Sequence, residues 1–100
     1  MNNALVIIPT YNESENIAQI IDAVFALPKD FDVLIVDDHS PDGTAEIVQS
    51  LSAQYNAANP VLHLLQRPGK QGLGTAYIEG FRWALARHYD CLLYTSDAAD

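Results

Sequence analysis

Short runs of consecutive apolar residues recur along the chain at an even spacing. They cover residues 4–8, 33–36, 61–65 and 91–94. Continuous rather than alternating apolarity is typical of strands that are buried on both faces, as in parallel sheets covered by helices. The pattern therefore predicts four parallel strands.

Helical periodicities separate these runs. Apolar residues at positions 17, 20, 21, 24 and 25 form one stripe, and we expect Asn12 or Ser14 to cap this first helix. A second helix is predicted after Thr44, and a third from about residue 74 to 87. Their expected inward-facing residues are Ile47, Val48 and Leu51 in the second and Ala76, Tyr77, Phe81, Ala84 and Leu85 in the third. The alternating order predicts an α/β fold, a Rossmann-like doubly wound and mostly parallel sheet.

Composition narrows the class of protein. The apolar fraction of 49% and the mean hydropathy of +0.00 fit a globular domain. A net charge of −8 without a basic cluster argues against nucleic-acid binding, which needs several cations against phosphates. Cys91 has no partner for an intrachain disulfide. No apolar run approaches the ~20 residues that span a bilayer.

The loop after the first strand lies where sheets of this class bind ligands, outside the carboxyl ends of the strands. Residues 9–13 read PTYNE and contain no glycine, which disfavours the glycine-rich turn of a dinucleotide-binding dehydrogenase. Tyr11 offers a ring for stacking on a base, and Glu13 offers a carboxylate to a ribose or base donor. The alternative is that Tyr11 is a partly buried loop aromatic and Glu13 an acid at a helix N-terminus.

The loop after the second strand begins with adjacent carboxylates, Asp37 and Asp38. Adjacent carboxylates repel each other unless a cation or hydrogen-bond donors are supplied. Because neighbouring side chains of a strand point opposite ways, we expect one to brace the loop and the other to face the ligand. Asp42 is interpreted as a turn and helix-capping residue, and His39 as a loop residue without a metal-ligand companion.

The loop after the third strand, residues 67–77, is rich in glycine and carries Arg67 and Lys70. Free amides and positive charge at a helix start favour phosphate or diphosphate binding. The segment lacks the Gly-Lys-Ser/Thr ending of a P-loop. A flexible loop whose glycines only permit a tight turn is the alternative.

Taken together, residues 9–13, 36–38, 40–45 and 70–77, with Gly80, resemble the family-2 glycosyltransferases of the GT-A fold. Within that family they are most similar to the polyprenyl-phosphate (dolichyl-phosphate) mannosyltransferases. The resemblance implies the nucleotide-binding half of a GT-A domain. It also implies transfer of mannose from GDP-mannose to a polyprenyl or dolichyl phosphate, at the cytoplasmic face of a membrane.

The resemblance also carries site residues over to this chain. It implies donor-nucleotide contacts by Pro9, Tyr11, Glu13, Val36 and Asp38, and a looser contribution to the donor site by Asp37, Arg67, Lys70, Gly72 and Gly74. A divalent metal, Mg²⁺ or Mn²⁺, is implied as well. The family's Asp-x-Asp metal motif is absent after the fourth run, because residues 94–100 read YTSDAAD. We therefore assign no metal ligand and no catalytic residue.

This departure leads to expectations about the chain itself. Residues 1–90 are interpreted as the N-terminal part of the GT-A domain and residues 91–100 as a non-native tail, so we expect the 100-residue chain to be inactive. The acceptor site and any membrane-anchoring segment or partner would lie elsewhere. Alternatives are a related family-2 enzyme using UDP-glucose or another donor and acceptor, or a non-catalytic nucleotide-binding module. A receiver-like signalling module would need its acid pair after the first strand.

Overall fold

The computed structural model describes residues 3–28, 30–68 and 73–94. Within these ranges strands and helices alternate as the apolar pattern predicts. The elements are β1 (Ala4–Thr10), α1 (Ile17–Phe25), β2 (Asp32–Asp37), α2 (Thr44–Tyr55), β3 (Leu62–Gln66), α3 (Leu73–Ala86) and β4 (Cys91–Tyr94).

The strands form one parallel sheet in the order β3-β2-β1-β4. The first strand lies in the interior of this order, and the chain adds strands outward on either side of it. The register aligns Thr10 of β1 with Asp37 of β2 and Asp37 with Gln66 of β3. The predicted doubly wound α/β fold is thereby confirmed, and the carboxyl ends of these strands lie side by side.

A hydrophobic core covers each face of the sheet. On one face Ile17 and Ile21 of α1 and Val48 of α2 pack against β1 and β2. On the other face Ala76 and Ala84 of α3 pack against Leu34 and neighbouring strand residues. Burial on both faces explains the continuous apolar runs 4–8 in β1 and 33–36 in β2.

Helix α1 begins later than its predicted caps. Its N-cap is Asn16, which makes no side-chain capping hydrogen bond, so the prediction of Asn12 or Ser14 as the cap is wrong. The carbonyl of Glu13 instead accepts hydrogen bonds from the N–H groups of Asn16 and Ile17, at 3.0 and 2.8 Å. The backbone turn, rather than a side chain, therefore leads into the helix.

Helix α3 approaches β1 closely. A Cβ atom added at Gly80 would lie 2.8 Å from Cγ2 of Ile7, so the absence of a side chain allows the contact. The stripe facing the sheet follows Ala76, Gly80 and Ala84. Leu85 is 64% exposed, against the prediction that it is buried, because one helical step turns it about 100° away from Ala84.

Three connections lie at the carboxyl edge of the sheet. The first loop is residues 11–16, the second is residues 38–43, and the third is residues 67–72, of which residues 67–68 are described. Strand β4 falls in the stretch interpreted from sequence as a non-native tail, and that interpretation stays a prediction. None of the helices among the described residues is long and apolar enough to cross a membrane.

Candidate functional site

The sheet register brings the three loops together. Beyond the aligned ends of the strands, the N–H of Asp38 donates to the carbonyl of Thr10 at 3.1 Å, and the N–H of Arg67 donates to the carbonyl of Asp37 at 2.8 Å. Tyr11, the first residue of the first loop, directly follows Thr10. Tyr11, Asp38 and Arg67 thus follow adjacent strand ends at the edge where parallel sheets bind ligands.

Asp37 braces the second loop, as one member of the acid pair was expected to do. Its side chain is fully buried. One carboxylate oxygen accepts hydrogen bonds from the Thr10 hydroxyl at 2.8 Å and the Ser40 hydroxyl at 2.7 Å. The other accepts the N–H of Ser40 at 2.9 Å. These bonds direct Asp37 into the loop structure rather than toward a ligand.

Asp38 pairs with a cation from the third loop. Nε and Nη2 of Arg67 donate to its two carboxylate oxygens at 2.6 and 2.9 Å, a bidentate geometry. Both side chains are nearly enclosed, with 9% of Asp38 and 0% of Arg67 exposed. The sequence analysis predicted that the acid pair needs a cation or hydrogen-bond donors. For Asp38 that partner is Arg67 of the same chain.

Arg67 also reaches helix α3. Its Nη1 donates to the Thr75 hydroxyl at 3.0 Å and to Oε1 of Glu79 at 3.4 Å. The hydrogen bond with Asp38 outweighs desolvation and raises the pKa of Arg67. The sequence analysis placed Arg67 loosely in the donor site, and that role stays a prediction. In the structure its guanidinium joins the second loop to α3, because carboxylates and a hydroxyl surround it.

The residues carried over to the nucleoside differ in exposure. Tyr11 and Glu13 are half-buried in the first loop and keep surface for a ligand, whereas Pro9 and Val36 are buried. Val36 packs in the core below α3 and has no exposed side-chain surface. A direct side-chain contact between Val36 and a nucleotide is therefore absent from this arrangement.

Asp42 joins the start of α2 to the first loop. One carboxylate oxygen accepts the N–H of Thr44 at 3.2 Å and its hydroxyl at 2.5 Å, although the N-cap position of α2 is Gly43 and not Asp42. The other oxygen accepts the N–H of Ser14 in the first loop at 3.0 Å. Burial raises the pKa of Asp42, but the bonds from Thr44 and Ser14 outweigh this effect and lower it to about 2.

Sequence reasoning missed the hydroxyl residues that join the first loop to the second loop and to the start of α2. The N–H of Asn12 donates to the Ser40 hydroxyl at 2.9 Å, and the N–H of Glu13 donates to the Thr44 hydroxyl at 3.0 Å. A signal for Ser40 was present, because residues 37–43 read DDHSPDG and are rich in the residue types that dominate turns. The long-range bonds to the first loop have no counterpart in local sequence.

An open cleft of about 420 Å³ lies beside these bonds. Its lining residues are Asn12, Ser14, Glu15, Asn16, Pro41 and Asp42. This described lining does not include Tyr11, Glu13 or Asp38. The cleft therefore does not coincide with the residues predicted to hold a nucleoside.

The described residues do not form a metal centre. Residues 3–28, 30–68 and 73–94 contain no group of three or more His, Cys, Asp or Glu side chains that could hold an ion. The carboxylates of Asp37 and Asp38 already accept hydrogen bonds from hydroxyls, an amide and a guanidinium. The donor set that is present thus does not fit a protein-bound divalent cation.

Part of the third loop is outside the described residues. Lys70 and Gly72, both predicted to line the donor site, lie there. Gly74 is exposed in α3, and a Cβ atom added to it would meet no atom within 4 Å. Gly74 therefore leaves open space beside the helix start.

Comparison with known proteins connects this chain to one enzyme family. A model of glycosyl transferase family 2 matches residues 5–98. The undecaprenyl-phosphate mannosyltransferase of Micrococcus luteus is 46% identical over 89 residues, covering 89% of this chain and 35% of that protein. The polyprenol monophosphomannose synthase of Mycolicibacterium smegmatis is 44% identical over 90 residues, covering 89% of this chain and 32% of that protein. The chain spans about a third of the length of these relatives.

A solved structure shares the fold. The mannosyltransferase PcManGT from Pyrobaculum calidifontis, in complex with GDP-Man and Mn²⁺, matches with a TM-score of 0.72 and 27% sequence identity. The match covers 81% of this chain and 24% of that chain. Together with the relatives, it confirms the resemblance drawn from the loop motifs.

Proposed function

The chain belongs to glycosyl transferase family 2, and from this premise we propose that it forms the donor-nucleotide-binding part of a mannosyltransferase. The proposed reaction moves a mannosyl group from GDP-mannose to a polyprenyl or dolichyl phosphate. The names of the two curated relatives support the reaction, and the GDP-Man in the structural neighbour supports the donor.

The observation that carries the proposal is the convergence of the loops at the carboxyl edge. Tyr11, Asp38 and Arg67 follow strand ends that lie next to each other in the register β1-β2-β3. Hydrogen bonds link the first loop to the second, and an ion pair links the second to the third. A ligand at this edge would meet polar groups that the fold already holds in position, which favours binding.

Within the proposed site the first loop holds the nucleoside. The half-buried ring of Tyr11 stacks on the base, and the carboxylate of Glu13 accepts a hydrogen bond from the ribose or the base. Asp38 faces the nucleoside from the second loop, with its charge held by Arg67. Pro9 and Val36 support the loops from the core side, and Asp37 braces them from below. Lys70, Gly72 and Gly74 remain proposed contributors to the diphosphate side.

The acceptor requires little activation. A phosphate monoester has a second pKa near 6, so it is largely ionised at neutral pH and needs no dedicated general base. The phosphate oxygen attacks the anomeric carbon, and the bond from that carbon to the diphosphate breaks, with GDP carrying away the electron pair. The main demand is stabilisation of the leaving diphosphate in a chain whose net charge is −8.

A divalent cation, Mg²⁺ or Mn²⁺, would meet that demand by neutralising the diphosphate. The family and the Mn²⁺ of the structural neighbour support its presence in the proposed enzyme. The described carboxylates do not fit such an ion. The lipid carrier implies action at a membrane, and we propose its cytoplasmic face, with an anchoring segment or partner supplying the attachment.

Nucleotide preference tests the proposal. Calorimetric titration of the chain should give tighter binding of GDP and GDP-mannose than of UDP, UDP-glucose or NAD. Transfer of labelled mannose to a polyprenyl phosphate, assayed with an enzyme of the relatives' length that contains this segment, tests the reaction itself. Equal or stronger binding of UDP-glucose would contradict the mannosyl donor and leave the family assignment intact.

A further inference from the structure

The backbone N–H groups of the first loop are received by side chains of the second loop and the start of α2. Asn12, Glu13 and Ser14 donate their N–H groups to Ser40, Thr44 and Asp42, at 2.9, 3.0 and 3.0 Å. We call these contacts the inter-loop bonds. A backbone N–H group can pair with the backbone, with a side chain or with water. Here side chains of the second loop and of α2 accept these amides, which fixes where the first loop lies.

The acceptors of the inter-loop bonds are themselves held. The Ser40 hydroxyl donates to the buried carboxylate of Asp37 at 2.7 Å. The Thr44 hydroxyl donates to Asp42 at 2.5 Å, and Thr44 is fully buried. Each hydroxyl can donate one hydrogen bond and still accept another. Ser40 therefore connects the first loop to the end of β2, and Thr44 connects it to the start of α2.

Both loops contain a residue in the left-handed region of backbone conformation. Asn12 has φ of 56° and His39 has φ of 59°. For residues other than glycine this conformation persists when surrounding contacts hold it. Asn12 lies directly between Tyr11 and Glu13, so its conformation sets the relative direction of the side chains proposed to hold the nucleoside.

We propose that Ser40, Asp42 and Thr44 are positioning residues of the donor site, which act through the first loop rather than by touching the nucleotide. This inference rests on the proposed function. The inter-loop bonds hold Tyr11 and Glu13 in a geometry that is ready for a nucleoside, so the chain binds without first ordering the loop. When one of these bonds is removed, the loop must be ordered on binding, and this cost weakens the affinity for the nucleotide.

Paired substitutions test the inference. Thr44→Val removes the acceptor for the Glu13 amide at nearly constant volume, and Thr44→Ser retains it. Ser40→Ala and Ser40→Thr form a second pair for the Asn12 amide, at a half-buried position. Ser52→Ala is the matched control, because the Ser52 hydroxyl donates within α2 to the carbonyl of Val48 and not to the first loop.

Two quantities are measured on each variant, the hydrogen-exchange protection of the Asn12, Glu13 and Ser14 amides and the Kd for GDP-mannose. Thr44→Val should lose protection at Glu13 and weaken GDP-mannose binding about five- to tenfold, the usual consequence of one lost hydrogen bond. Ser40→Ala should do the same at Asn12. The hydroxyl-retaining variants should restore both quantities, and Ser52→Ala should change neither.

Lost protection with unchanged affinity in Thr44→Val and Ser40→Ala would overturn the inference while leaving the proposed function intact. So would an equal loss of affinity in Ser52→Ala, because the effect would then be general destabilisation. Failure of the unsubstituted chain to bind GDP-mannose would instead overturn the proposed function, and the positioning role with it. If Thr44→Val does not fold, the Ser40 pair decides.

Discussion

The two edges of the sheet both bury polar groups, but they use them differently. At the carboxyl edge, Ser40, Asp42 and Thr44 accept hydrogen bonds from backbone amides of another loop. At the amino edge, the hydroxyl of Tyr89 donates to the fully buried Asp32 at 2.5 Å, so a side chain satisfies a side chain. The first arrangement fixes the path of the loops, and the second joins the segment before β4 to the first residue of β2.

Aromatic packing distinguishes the amino edge further. The rings of His63 and Trp83 lie 5.0 Å apart, and the Arg87 guanidinium lies 3.9 Å above the Trp83 ring. Buried polar groups thus hold loops in position at one edge and pair with other side chains at the other edge. Burial of a charged or polar residue does not by itself indicate a ligand site. Substitutions at the carboxyl edge should therefore change nucleotide affinity, whereas those at the amino edge should change stability alone.

The largest expected effect comes from removing the cation of the ion pair at the carboxyl edge. Arg67→Met leaves the carboxylate of Asp38 buried without its bidentate partner, and should lower the free energy of unfolding by about 3 kcal/mol. Arg87→Met is the control at the amino edge, where loss of a cation–π contact should cost about 0.5–1 kcal/mol. Urea denaturation of both variants measures the difference. Equal losses would show that the Asp38–Arg67 pair contributes no more than a surface contact.

Next in size is the effect of Asp38→Asn on donor binding. The substitution keeps the shape of the side chain but removes its charge, and should weaken GDP-mannose binding by about 1–3 kcal/mol, the usual cost of unpairing such a contact. Asp42→Asn is not a neutral comparison, because Asp42 uses both oxygens in hydrogen bonds. Asp90→Asn, exposed at the amino edge, is the better control and should leave calorimetric affinity unchanged.

Tyr89→Phe tests whether a substitution at the amino edge changes stability without changing nucleotide affinity. Loss of the hydroxyl removes a donor to the buried Asp32, and should lower the free energy of unfolding by about 1–2 kcal/mol. Because Tyr89 lies at the amino edge, the Kd for GDP-mannose should remain that of the unsubstituted chain when both are measured well below the melting temperature. A parallel loss of affinity would mean that the two edges are coupled.

The smallest effect is a pH dependence from the amino edge. Burial lowers the pKa of His63, although Asp32 and the Pro60 carbonyl oppose the shift and Arg87 adds to it. The unfolded chain therefore binds a proton more readily than the folded one, so this contribution to stability is complete above about pH 6.5 and declines below it. The melting temperature should therefore fall as the pH is lowered from 7 to 5, and it should fall less in His63→Leu. An equal fall in His63→Leu would assign the pH dependence to other groups.

Much of the fold could be predicted because burial on both sheet faces leaves a direct mark on the sequence. The continuous apolar runs gave β1 and β2, and the stripe beginning at Ile17 gave α1. Helix ends were harder. The backbone turn at Glu13 begins α1 without a side-chain cap, and Leu85 faces outward where α3 nears its end.

The candidate site could be predicted in part. Adjacent carboxylates at a strand end indicated that Asp37 and Asp38 would need donors or a cation. That Arg67 supplies the charge depends on a register between strands and a contact 29 residues away. The inter-loop bonds depend on left-handed conformations at Asn12 and His39, which neither residue type requires. Local sequence cannot specify contacts that arise only when two loops are held side by side.

Mapping of the bound nucleotide tests most directly whether the carboxyl edge is the donor site. Backbone amide chemical shifts of the labelled chain would be followed during titration with GDP-mannose. The largest changes should occur at Tyr11, Glu13 and Asp38, with little change at Asp32 and Tyr89. Saturable changes centred on Asp32 and Tyr89 would contradict this assignment, and so would saturable binding that leaves the amides of Tyr11, Glu13 and Asp38 unmoved.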